Sequence, residues 1–115
     1  MKTAQDPRHQ HRINMMQQLF SYSFRPEEGK AITAIIPHLP VIDARITVCA
    51  PEWPVDKIAK IDLAILRLAI YEISVTKEAP VKVVIDEAIE LAKSFGNSNS
   101  PKFINGVLGT IIQTV

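Results

Sequence analysis

Residues 61–75, IDLAILRLAIYEISV, carry apolar side chains on almost every side of a helical wheel. Such a helix does not lie on a surface; it sits centrally, with other elements packed on several of its sides. The rest of the chain offers suitable neighbours. Residues 81–95 (VKVVIDEAIELAKSF) are amphipathic, with Ile85, Ala88, Ile89 and Ala92 on one face and Glu87, Glu90 and Lys93 elsewhere. Within residues 8–24, Ile13, Met16, Phe20 and Phe24 recur at spacings of three and four, which marks one helical face. Asp6 is placed to cap that helix, Pro7 suits its first turn, and Arg25-Pro26 ends it.

Prolines divide the remainder. A second helix is expected over residues 27–36, before Pro37 and Pro40 break the chain and restart it. Residues 41–50 read as a third helix, although Ile46-Thr47-Val48 would also suit a strand. Pro51 and Pro54 bracket Trp53 in a turn, and a short helix starts at Val55. Residues 77–80 connect the apolar helix to the amphipathic one, and Gly96 stands where a helix C-terminal glycine belongs. After the loop Asn97-Ser98-Asn99, Ser100 and Pro101 signal the start of a last helix reaching about Gln113. The expectation is an all-α, compact helical bundle of about six to seven helices, with residues 1–115 forming one domain.

Charge narrows the function less than the fold. Thirteen Lys+Arg oppose twelve Asp+Glu, so nucleic-acid binding would have to come from local patterning. The first helix provides some: Arg8, His11 and Arg12 share one ridge, His9 lies beside them, and residues 13–24 carry no charge. Such a cluster can grip phosphates, while a merely solvated N-terminus is the plainer reading. The loop at residues 96–100, followed by Lys102, could hold a phosphate on free backbone amides or be an ordinary capped loop. His9 and His11 point in different directions on a helix and His38 is remote, so no metal site is expected. Arg67, inside the most apolar helix, needs a carboxylate from Glu72, Glu87 or Glu90, and Asn105 reads as a buried amide. There is no glycine-rich phosphate loop and no paired nucleophile and base, so neither an enzyme nor a cofactor is expected. Cys49 is the only cysteine, the opening MKTAQDPRHQHR lacks the apolar stretch of a leader, and no run approaches the ~20 apolar residues of a membrane span. These features point to a cytoplasmic protein without a membrane segment.

The segments IDLAILRLAIYEI (61–73), APVKVVIDEAIELAKSFG (79–96) and SPKFINGVLGTI (100–111) closely resemble those of the NusB family of transcription factors. The family pattern is a central L-R-x-A-x-Y-E helix, then P-x-x-V-x-I-N-E-A-x-E-L-A-K-x-F, then K-F-x-N-G-V-L. RHQHRINMMQQLFSYSF is more loosely similar to the family's first helix, with its Leu-aromatic pair here Leu19-Phe20. The resemblance implies a NusB-like RNA-binding fold and a role as an adaptor in transcription antitermination. Its ligand would be the boxA element of ribosomal RNA leader transcripts. It would act together with NusE, also a small-subunit ribosomal protein, in a complex on RNA polymerase. It assigns RNA contacts to Arg8, His9, His11 and Arg12 and to the turn carrying Asn97, Asn99 and Lys102. It assigns the NusE face to Phe20, Asp56 and Asp62. The chain departs from the pattern at Gln10 and the two histidines beside it, at Asp86 in place of Asn, at Gly109 in place of Asp, and in a shorter stretch between Phe24 and Trp53. Two other roles fit the resemblance: a detached targeting module for a ribosomal RNA cytosine methyltransferase, and a helical module that binds protein alone.

Overall fold

Asp6 starts the first helix. Its carboxylate accepts the backbone N–H of Arg8 at 2.9 Å and Pro7 occupies the first turn, so α1 runs Pro7–Phe24. In the computed structural model, which describes residues 6–113, α1 is followed by two 3₁₀ segments, Pro26–Ile32 and Ile36–His38. Then come α2 (Leu39–Cys49), a 3₁₀ turn (Val55–Lys57), α3 (Lys60–Tyr71), a π-helical turn (Glu72–Thr76), α4 (Val81–Phe95) and α5 (Ser100–Ile111). The polar opening at residues 1–5 lies outside the described residues. The architecture is all-α, with five α-helices among the described residues, slightly fewer than expected.

The difference lies at residues 26–38. The residues expected as a second α-helix coil as tighter 3₁₀ turns, while Pro37 and Pro40 stand in the first turns of the segments that follow, where a missing N–H costs nothing. The tighter turns still deliver Ile32, Ile35 and Leu39 to the core. Gly29 permits this, because a Cβ there would stand 2.7 Å from the Ile36 side chain and 3.0 Å from Tyr22. Residues 46–48 are helical, and α2 buries Leu39, Ile42 and Ile46 along one face.

α3 is the central element, touching α1, α2, α4 and α5. Leu63, Ala64, Ile65, Leu66, Leu68, Ala69 and Ile70 are all buried, as its all-round apolar character requires. Its end is unusual. The chain passes into the π-helical turn, and Lys77, at φ 52°, closes it by donating its N–H to the Glu72 carbonyl at 2.9 Å.

Two charged positions expected outside are inside. On α1 the buried residues are Arg12, Met16 and Leu19, whereas Phe24 is exposed. On α4, Glu87 is buried beside Val84, Ala88, Leu91 and Ala92. Both apolar stripes are rotated by about one position from the expected face. Arg67 pairs with Asp43, at 3.0 and 2.8 Å, and not with the glutamates proposed for it. Asn105 is exposed, which corrects its reading as a buried amide.

Candidate nucleic-acid interface

The basic opening of α1 is largely committed to carboxylates. Arg12 donates its Nε to both Glu72 oxygens, at 2.9 and 3.2 Å, its Nη2 to Glu72 at 2.8 Å and its Nη1 to Glu87 at 3.1 Å. Its side chain is 11% exposed and that of Glu87 2%. This is a planar, bidentate pairing that suits arginine and not lysine. His9 completes it, with Nδ1 3.3 Å from Glu87 Oε1. The π-helical turn at Glu72 and the burial of Glu87 on α4 therefore converge on one guanidinium of α1. These two glutamates, expected as possible carboxylate partners of Arg67, serve Arg12 instead. Helical geometry disfavours Glu72 as a partner of Arg67, because five residues rotate it ~140° away.

Arg8 and His11 stay exposed. Arg8 pairs with Asp6 at 3.1 Å. The side-chain hydrogen bond from Arg8, then its backbone N–H, hold the Asp6 carboxyl below the usual carboxylate range, and the same pairing raises the Arg8 guanidinium. The lowered value means that the Asp6 contribution is in force above the ordinary carboxylate range and is lost as pH falls through the shifted one. Beside these residues runs an open groove of about 780 Å³ between α1, the end of α3 and the start of α4. Its walls carry Asp6, Glu72, Glu78, Asp86 and Glu87 against Arg8 and Arg12, so the groove itself is net acidic. Phosphate would be repelled from its floor and attracted only at the Arg8 and His11 rim.

The second predicted cluster lies at the far end of α4. Phe95 is eight residues beyond Glu87, about 12 Å further along the helix axis. The turn after it is tightly built. Asn97 donates its N–H to Ser100 Oγ at 3.0 Å, and Asn97 Oδ1 accepts the Asn99 N–H at 2.8 Å. Gly96 is in extended backbone at φ −90°, not the left-handed form anticipated for a helix-ending glycine. It is needed for space: a Cβ would lie 2.4 Å from Ser100 Oγ and 2.9 Å from the Ala92 carbonyl. Asn97, Asn99 and Lys102 are all exposed. Trp53, read from sequence only as a turn residue, meets Phe103 edge to face, with ring centroids 6.3 Å apart.

The residues assigned to a protein partner fall elsewhere. Phe20 is half-buried near the end of α1 and packs edge to face on exposed Phe24, centroids 5.1 Å apart. Asp56 is exposed in the 3₁₀ turn before α3. Asp62, in the first turn of α3, is only 7% exposed, and its Oδ1 has no hydrogen-bond partner within the protein. Among the described residues, no three His, Cys, Asp or Glu side chains gather as a metal site, and no helix is long and apolar enough to cross a membrane.

Comparison with known proteins agrees with this architecture. Residues 29–113 match the NusB family model. The chain is 46% identical over 82 residues to a transcription antitermination protein NusB of Dehalococcoides mccartyi, covering 71% of this chain and 57% of that protein. It is 40% identical over 83 residues to a transcription antitermination protein NusB of Pseudothermotoga lettingae, covering 72% and 59%. The matched part thus spans less than two thirds of the length of these curated relatives. A solved structure of T. maritima NusB superposes with a TM-score of 0.83 at 32% identity, covering 98% of this chain and 93% of that one.

Proposed function

The chain belongs to the NusB family, and from that premise we propose that it is a non-catalytic, single-domain RNA-binding adaptor of transcription antitermination, working in the cytoplasm. Its ligand is a boxA-type single strand of a ribosomal RNA leader, bound together with NusE within an antitermination complex on RNA polymerase. The observation that carries this reading is the likeness to T. maritima NusB across nearly the whole chain. The surface supports it with two exposed sets of polar groups, Arg8 and His11 on α1 and Asn97, Asn99 and Lys102 around the start of α5. Phe20, Asp56 and Asp62 form the NusE face in this reading.

The test is binding of a labelled boxA-type single strand, with and without NusE, over a salt series. Arg8→Ala and Lys102→Ala should each weaken binding at all sequences and flatten the salt slope by about 0.7, the value per phosphate contact for a single strand. Arg12 is unsuited to this test because its removal disturbs the core. Unaltered affinity and slope in the double variant would remove the proposed surface.

A second reading, a module that binds protein alone, is favoured by the pairing of both α1 arginines with carboxylates. Separate titrations with NusE and with RNA distinguish the two.

A further inference from the structure

We propose that Trp53 is a stacking platform for one base of the bound RNA strand, with Lys102 taking a neighbouring phosphate. This rests on the RNA-binding reading above and adds a residue and a contact type to it. Trp53 is 51% exposed, unusual for the residue with the most apolar surface to lose. Its backbone is fixed: Pro51 and Pro54 flank it, and its backbone N–H donates to the Ala50 carbonyl at 3.0 Å. The contact with Phe103, at 6.3 Å and 77°, is edge to face. Such a contact covers at most one face of the indole, which leaves the other for a base. A ring whose backbone is fixed and which already rests on Phe103 has less freedom to lose when a ligand stacks on it.

The surroundings suit a strand. Lys102 precedes Phe103, is exposed, and has no ion-pair partner among the described residues. The Phe103 backbone N–H donates to the Asn99 carbonyl at 3.0 Å, so Phe103 stands one helical turn after Asn99. Glu52, next to Trp53, is exposed and acidic. In this proposal Lys102, adjacent in sequence to Phe103, takes the phosphate, while the uncharged π-face of a base is tolerated over the indole beside Glu52. Stacking of this kind is largely indifferent to sequence, because every base presents a π-face.

Trp53 is the only tryptophan in the chain, so the chain's tryptophan emission is that of Trp53. The probe is a fluorescein-labelled, short single-stranded oligoribonucleotide, alone and with NusE, with binding followed by label anisotropy. On saturation, Trp53 emission should be quenched. Trp53→Ala should weaken binding about tenfold or more, Trp53→Phe should retain most of it, and a strand of abasic sites should bind without quenching. If the strand binds, emission is unchanged and Trp53→Ala binds equally well, the platform is wrong and the RNA reading stands. If no strand binds under either condition, both fall. Quenching by NusE and not by RNA also overturns the platform. Should Trp53→Ala fail to fold, native emission and Trp53→Phe still decide.

Discussion

Arg12 shows how a single side chain changes role between sequence and fold. On a helical wheel it shares a ridge with Arg8 and His11. In the folded chain it bridges α1 to Glu72 and Glu87 with four hydrogen bonds of 2.8–3.2 Å, at 11% side-chain exposure. Burying charge is costly, and an interaction like this is maintained only while every partner is present. Arg12→Ala would leave buried Glu87 without its guanidinium and should destabilise the chain by roughly 3–5 kcal/mol. Urea unfolding measures it. A loss below about 1 kcal/mol, the worth of an exposed ion pair, would mean that the cluster is solvated in solution. Arg67 and Asp43 form the comparable link from α3 to α2. The sequence indicates that Arg67 needs a carboxylate without saying which, and it assigns Arg12 to phosphate; the fold gives both to carboxylates.

At the scale of elements, several helix starts and stops are legible in the sequence because they depend on local chemistry. Asp6-Pro7 caps α1, Pro26 follows its end, and α4 occupies residues 81–95 as its periodicity predicts. The stretch between Phe24 and α2 was not legible, since whether a proline-rich segment coils as α or 3₁₀ depends on what its apolar residues must reach. Gly96 is a related case. Position alone indicated a glycine for its backbone freedom, but the reason is the closeness of Ser100 and the Ala92 carbonyl. Gly96→Ala should therefore cost about 1–3 kcal/mol through steric displacement. Thermal unfolding checks this, and equal melting temperatures for Gly96→Ala and the parent chain would refute it.

For the whole molecule, the arrangement around α3 separates an α1 rim, a turn at the start of α5 and a face bearing Asp62. A buried carboxylate oxygen without a partner costs about 1–3 kcal/mol, while its charge in the first helical turn returns only 0.3–1 kcal/mol. The penalty wins, so Asp62→Ala should stabilise the isolated chain by about 1 kcal/mol. In the proposed function that residue serves a partner, and the same variant should bind NusE more weakly, a trade of stability for binding. Chemical denaturation and a NusE titration on the same sample test both halves. A destabilised variant would show that the orphan oxygen is satisfied in solution.

By itself the sequence determined the all-α class, the central place of α3, most helix boundaries and the membership of the family, because periodicity, capping and motif order are local properties. Only the tertiary structure decided which charges are free. It withdrew Arg12 and Glu87 into the core, gave Asp43 to Arg67, made the α1 groove acidic and set Trp53 against Phe103. The reason is physical: a charge acts outwardly only if nothing across the packed interface neutralises it, and that depends on residues sixty or seventy-five positions away in the chain, as Glu72 and Glu87 are from Arg12.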